Sequence, residues 1–378
     1  MTVHAPLSRA SRTLARDALS ALTTVAHAAA TPLVPDDYLD LVDPLAGGSL
    51  RAQVTEVRPE TSDAATIVLR PGRGWQGHVP GQYLRIGVDI DGIRLWRAYS
   101  ITSGSTSAAF SHRSIRSGSV SGTVTITVKS IPGGLVSSHL VHRLRPGAIV
   151  ALEPASGDFT LPARPPAKTL FVTGGSGITP VMGMLRQHLD DLDDVVLVHS
   201  SPTPADVIFA DELRAWGSSG RLRLIEQHTD RHGVLTPEAL RQLVPDLDQR
   251  ETWACGPAGM TDALGDLYED NGWAARLHIE RFRPNLAAVG DGGTVVFATS
   301  GTSVEVPGDT TLLAAGEDAG VLMPSGCRMG ICFGCVLSLQ EGAVKDLRTG
   351  DITTASPGDG VLVQTCISAA AGPCTLTI

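Results

Sequence analysis

The chain has no apolar run approaching the roughly eighteen residues needed to cross a bilayer, which argues against a spanning helix. It also lacks an excess of positive charge. Lys and Arg number 30 against 39 Asp and Glu, and the formal net charge of -9 disfavours nucleic acid as a partner. Cysteine is scarce, six in 378 residues, and nothing resembles a secretory signal, so a disulfide-stapled secreted scaffold is not expected. The expectation is a cytoplasmic protein with reduced thiols. The eleven histidines contain no H-E-x-x-H or comparable metal pair. His139 and His142 are read as structural or surface residues. No internal repeat is visible.

What is present is ordinary for a globular protein: 42% hydrophobic and 18% charged residues, with Gly 41 and Pro 24 pointing to many turns and short strands. The length suggests two to four domains. Residues 1–50 read as a helical extension. Apolar Leu14, Ala18, Leu22 and Val25 recur at helical spacing behind Arg9, Arg12 and Arg16, and a second short helix is expected over Asp36–Leu41. Packing on the first domain is the preferred role, and peripheral membrane contact through the basic amphipathic helix is the alternative. A transit peptide also suits the composition, although Asp17 argues against it. Residues 51–163 read as short antiparallel strands separated by Pro80-Gly81, Asp91-Gly92 and Pro146-Gly147, hence a small β-barrel, with a Ser/Gly-rich insertion over 103–122. Residues 164–283 open with a stiff Pro-rich linker and alternate strand with helix, which implies a doubly wound parallel α/β sheet. A second linker covers about 283–292, and 292–378 form the last domain.

That last domain carries C-R-M-G-I-C-F-G-C. Cys327, Cys332 and Cys335 stand as C-x4-C-x2-C, with Cys366 about thirty residues on. This is the plant-type spacing for a [2Fe–2S] cluster held by four thiolates. Gly326, Gly330 and Gly334 suit a tight loop whose N–H groups face sulfur. A structural zinc site would more often pair two CxxC-like knuckles. Cys374 reads as a small buried hydrophobe.

Three further motifs lie upstream. Arg97-Ala98-Tyr99-Ser100 closes a barrel strand, and Gly133-Gly134-Leu135-Val136-Ser137 leads into a helix expected near Ser138. Bare N–H groups at such a turn bind phosphate oxygens. Gly174-Gly175-Ser176-Gly177-Ile178-Thr179-Pro180 follows a strand and opens a helix, as a dinucleotide turn does, although its spacing departs from G-x-G-x-x-G. Cys255-Gly256-Pro257 ends a later strand. No histidine stands beside Cys255, so it reads as a packing or positioning residue and not a nucleophile.

In this order the motifs resemble the ferredoxin-NADP reductase superfamily, here with a C-terminal β-grasp ferredoxin-like domain, over about residues 51–378. The resemblance implies that Arg97 binds flavin phosphate, Tyr99 packs on the flavin and Ser100 lies near its N5. It implies pyrophosphate contacts from Gly133, Gly134, Val136 and Ser137, and FAD in preference to FMN. It implies nucleotide contacts from Gly174, Gly175, Ser176, Gly177, Thr179, Pro180, Cys255, Gly256 and Pro257, with Ser100, Thr179 and Cys255 nearest the chemistry. Glu280-Arg281-Phe282 closes the nucleotide domain, where an acid or aromatic can approach the flavin. Arg221 and Arg223 are the expected cations for a 2′-phosphate, which favours NADPH over NADH. With its N-terminal helices, its D-Y-L-D-L-V-D-P-L stretch and its cysteine loop, the chain looks most like actinobacterial reductases serving membrane-bound di-iron fatty acyl desaturases. Related reductases serve Rieske oxygenases, alkane hydroxylases and cytochromes P450.

The order flavin, nucleotide, cluster has a chemical logic, since nicotinamide delivers two electrons together and a cluster takes one. Residues 292–378 hold eight acidic and three basic residues, which suits a partner with a basic docking face. The rivals are a flavin/iron–sulfur redox sensor, which needs no hydride donor, and an oxidase or ferric reductase acting on small acceptors. Replacing Cys332 by serine should leave NAD(P)H-driven flavin reduction intact and abolish cytochrome c reduction. Unchanged cytochrome c reduction would place the electron exit at the flavin.

Overall fold

The computed structural model describes residues 45, 49–105, 122–282, 286, 288–326, 328–330 and 333–378. The helices expected before residue 42 and most of the 103–122 insertion lie outside the described residues. Among the described residues the first sheet has six strands: β1 (Arg51–Pro59), β2 (Ala64–Pro71), β3 (Tyr83–Ile90), β4 (Ile93–Ser100), β5 (Val124–Lys129) and β6 (Ile149–Leu152). They run in the order β4-β3-β6-β1-β2-β5 with antiparallel pairing. A bridge between Ile101 and Ile126 joins the two edges, so the sheet closes into the expected barrel. Every second residue of β1, β3 and β5 points inward, and Val54, Leu84, Ile86, Val124, Ile126 and Val128 fill the barrel.

A short helix follows the glycine turn, starting at Leu135 and not near Ser138: α1 spans Leu135–Ser138 and runs on as a wider turn over His139–Arg143. Extended backbone at Gly134 starts the helix as soon as the turn ends. Gly133 has φ 72, a value that glycine adopts without strain.

The second sheet is parallel throughout, in the order β11-β10-β7-β8-β9. Its strands are β7 (Lys168–Gly174), β8 (Asp194–Ser201), β9 (Arg223–His228), β10 (Glu251–Cys255) and β11 (Leu277–Glu280). Helices α2 (Ile178–His188), α3 (Ala210–Ser218), α4 (Thr229–His232), α5 (Pro237–Leu243) and α6 (Ala258–Asp270) connect them. Buried residues pack both faces: Phe171, Val195 and Leu197 on one, Leu170, Val196 and Val198 on the other. Near-continuous apolar strands are what a sheet covered on two sides requires. The strand order reverses between β7 and β10, and ligands gather at the crevice above such a reversal.

The barrel and this sheet are closely joined. Arg186 donates to Thr102 O at 2.8 Å and Trp253 Nε1 to Thr160 O at 3.2 Å. At Gly183 of α2 a Cβ would lie 2.6 Å from Ile101 O.

The third sheet follows the order β13-β12-β17-β14-β15, with β16 also on β14. Its strands are β12 (Gly293–Phe297), β13 (Thr302–Val306), β14 (Val336–Asp346), β15 (Ile352–Ala355), β16 (Val361–Gln364) and β17 (Ser368–Leu376). Helix α7 (Leu312–Asp318), capped by the Thr311 hydroxyl, buries Leu312 and Leu313 against it. β17 runs parallel to β12 and antiparallel to β14, the arrangement of a β-grasp. Part of the expected second linker is laced to this sheet: Ala288 N–H donates to Leu347 O at 2.9 Å and Gly292 N–H to Ala370 O at 3.0 Å.

Because Gly183 lies against the barrel backbone, Gly183→Val should cost about 1–3 kcal/mol by overpacking. Chemical denaturation followed by tryptophan fluorescence would check this. A neutral effect would mean that the junction yields.

Candidate functional site

The glycine turn after β7 and the Cys255-Gly256-Pro257 turn after β10 stand side by side because Thr173 pairs with Cys255. Their contact leaves no room for side chains. A Cβ on Gly177 would lie 2.0 Å from Cys255 O, and one on Gly174 would lie 2.6 Å from Pro257 Cδ. Gly175 takes φ 52 with open space before it. These turns floor a cavity of about 850 Å³. Its lining includes Gly174–Gly177, Ser200, Ser201 and Pro202 of the sheet, Lys129 of the barrel, and Arg281 and Phe282 beyond β11. The size and mixed lining suit a nucleotide and a ring system together.

Thr179 and Pro180 sit in the first turn of α2, and both are buried. The Thr179 hydroxyl donates to Ser176 O at 2.9 Å, which holds the turn. Cys255 is fully buried. Burial pushes its thiol well above the ordinary value and Glu280 adds to the effect, so it is not a thiolate. Glu280 pairs with Cys255 across β10 and β11. Its Oε2 is buried with no hydrogen-bond partner among the described residues, and burial, with Asp158 nearby, raises its carboxyl to about 8. The buried Ser100 Oγ is likewise without a partner. Orphaned polar atoms of this kind are costly unless something occupies the site.

On the barrel, Arg97 donates to Trp96 O at 2.7 Å. Burial lowers it, and it feels Arg328 and Glu317 of the third domain, which brings that domain toward this strand. Burial raises the Tyr99 phenol. Val136 packs into the barrel core, while Ser137 Oγ accepts from Ile131 N–H at 3.3 Å and faces its own turn. What Gly133 and Gly134 offer a phosphate is therefore backbone N–H groups. The orphaned Ser100 hydroxyl, the exposed glycine turns and the cavity fit a flavin and a dinucleotide.

Arg221 and Arg223 do not reach this site. Arg223 starts β9 opposite Val196, and Arg221 pairs with Asp190, so both lie at the amino ends of the strands. The cavity lies at the carboxyl ends. Sequence proximity to the second strand did not reveal which end of the sheet the turn from α3 into β9 occupies. Lys129, by contrast, was not singled out in the sequence, because nothing local marks a barrel lysine as facing another domain.

In the third domain Cys335 and Cys366 are both buried and interact directly. The Cys366 side chain is the main cause that lowers the Cys335 thiol to about 6. Thr365 locks the pair, its N–H and hydroxyl donating to Cys335 O at 3.2 and 2.9 Å. Gly330, Arg328 and Phe333 of the loop all take positive φ. Cys327 and Cys332 lie outside the described residues. Two facing sulfurs, one of them acidified by the other, under a curled loop fit thiolate ligation of an iron–sulfur cluster.

A flavin-type barrel, a parallel nucleotide-binding sheet and a thiolate-bearing β-grasp define an iron–sulfur flavoprotein oxidoreductase. The chain matches the oxidoreductase FAD-binding domain over residues 52–161, the oxidoreductase NAD-binding domain over 171–266 and the 2Fe-2S iron-sulfur cluster binding domain over 296–371. It is 46% identical to an NADPH oxidoreductase of Mycobacterium tuberculosis, over 95% of this chain and 92% of that protein. It is 32% identical to the glycine betaine monooxygenase reductase subunit of Pseudomonas aeruginosa, over 76% and 84%. The solved structure of phthalate dioxygenase reductase matches with a TM-score of 0.58 and 23% identity, over 88% of this chain and 98% of that one, a likeness of fold. The chain belongs to the ferredoxin-NADP reductase-type [2Fe–2S] reductases, with FAD, the cluster and NAD(P)H as its redox groups.

Glu280, which precedes the cavity-lining Arg281, is strongly displaced, and the sign of its effect follows from linkage. The folded state holds its proton up to about pH 8, the unfolded chain only to its ordinary value of 4.5. Its contribution to stability therefore falls as pH rises between those values. Glu280→Gln should match the parent in denaturation midpoint near pH 4.5 and exceed it above pH 8. A parent that gains on the variant with rising pH would contradict the burial of this carboxyl.

Proposed function

We propose that this protein takes hydride equivalents from NADPH in the cleft between barrel and parallel sheet, and passes electrons through the cysteine site to an oxygen-activating terminal enzyme. The terminal enzyme that we propose is a membrane-bound acyl desaturase. The observation that carries the reading is the presence, in one chain, of a two-domain nucleotide cavity and a facing Cys335–Cys366 pair. Bound FAD would accept an electron pair and release electrons singly, which a pyridine nucleotide cannot do.

The residues divide the work by position. The Gly174–Pro180 turn presents N–H groups and a helix start to a pyrophosphate, and the Cys255-Gly256-Pro257 turn walls the nicotinamide end. Gly133, Gly134, Val136 and Ser137 would hold the flavin pyrophosphate through their backbone, with Arg97 as the cation. Tyr99 and Ser100 would hold the ring system. Glu280 Oε2 holds a proton in the same buried region, where Thr179 orders the turn. With Arg221 and Arg223 at the opposite, amino ends of the strands, Arg231, exposed on α4 at the carboxyl end of β9, is the cation for a 2′-phosphate.

NADPH as donor is supported by the similarity to the mycobacterial NADPH oxidoreductase. Service to a terminal oxygenase is supported by the similarity to monooxygenase reductase subunits. The desaturase choice rests on the N-terminal stretch and the cysteine loop. Among the described residues no helix is long and apolar enough to cross a membrane. Mixing the holoprotein with a membrane-bound acyl desaturase and NADPH should produce double bonds at a rate that rises with reductase. No stimulation there, with turnover of a Rieske oxygenase or cytochrome P450 instead, would replace the desaturase by that acceptor.

A further inference from the structure

The turn between β14 and β15 reaches back to the cysteine loop. Leu347 is fully buried, and its N–H donates to Ile367 O at 2.8 Å, beside Cys366. This pins the next residue, Arg348, over the loop. Its Nε and Nη2 pair with the two Asp346 carboxylate oxygens at 3.2 and 2.8 Å, and Nη1 donates to Gly330 O at 3.4 Å. Gln364 Nε2 donates to the same carbonyl at 3.0 Å. The loop has been shaped around the guanidinium. A Cβ at Gly330 would lie 2.7 Å from Arg348 Nη1, so the guanidinium sits directly against this residue, and its φ of 74 favours glycine there. The guanidinium is raised chiefly by its hydrogen bond to Asp346, with the charge of Cys366 a smaller contribution in the same direction.

An arginine serving only its own turn would be satisfied by Asp346. This one gives a further N–H to the cysteine loop, and it is one of three basic residues in a domain with eight acids. We propose that Arg348 is a positioning residue that holds the Gly330 carbonyl and places a fixed positive charge beside the Cys366 side of the cluster, raising its reduction potential, with Asp346 as the opposing charge. One-electron reduction makes the site more negative, so a neighbouring cation favours the reduced form and a neighbouring anion disfavours it. The potential would then be set by an ion pair, and each member pulls in its own direction.

This proposal rests on the iron–sulfur reading, which iron and sulfide content and the reduced-state electron paramagnetic resonance signal of the parent test separately. The experiment is a redox titration of the purified holoprotein followed by that signal. It compares the parent with Arg348→Gln, Arg348→Lys and Asp346→Asn. Arg348→Gln should shift the reduced-to-oxidised ratio at fixed poise about tenfold toward oxidised, about 59 mV for a one-electron couple. Arg348→Lys should restore part of the shift, and Asp346→Asn should move the ratio toward reduced. NADPH-driven flavin reduction should be unchanged in all three. If Arg348→Gln fails to keep its cluster, Asp346→Asn alone decides, since it retains the guanidinium. No shift in the variants, or shifts of Arg348→Gln and Asp346→Asn in the same direction, would overturn the proposal in favour of a merely structural turn.

Discussion

Parallel pairing of β7 with β10 is the constraint from which the nucleotide site follows. It brings two turns, distant in sequence, so close that Gly177 must lack a side chain to clear Cys255 O. The strand reversal leaves the crevice open directly above them. Everything else in the cleft is arranged around that floor. Lys129 comes from the barrel, while Arg281 and Phe282 come from the segment beyond β11. If the register slipped by one residue, Gly177 would no longer meet the carbonyl and the faces of the sheet would exchange.

A second constraint is rigidity between the barrel and the parallel sheet. Hydride transfer depends on the alignment of two bound rings, and small misplacements are expensive. Gly183 against Ile101 O, Arg186 on Thr102 O and Trp253 on Thr160 O fix that relation. The cleft walls are therefore built from one consolidated body. Its buried acid, Glu280, and its orphaned hydroxyl, Ser100, are features of a site arranged for an occupant.

The third domain follows a different logic. Its sheet holds Cys335 and Cys366 through Thr365, and the turn bearing Arg348 grips the loop from the other side. Charge is distributed locally here. In a domain with eight acids and three basic residues, Arg348 donates to the cysteine loop at Gly330 O.

Strand and helix periodicity made most of the architecture legible, from the six barrel strands to the βαβ alternation, because each signal is local. The cysteine spacing and the glycine turns were legible for the same reason, since thiolate ligation and phosphate approach impose short-range demands on residue type. The start of α1 at Leu135 was misjudged, since extended backbone at Gly134 and not hydrophobic periodicity sets it. The ends to which Arg221 and Arg223 belong could not be read from the chain, because a crossover places its charges at one edge of a sheet or the other only once the strands are in register. Lys129 in the cleft, the Glu280 displacement and the grip of Arg348 on Gly330 depend on contacts between segments far apart in sequence, and on burial that exists only after folding.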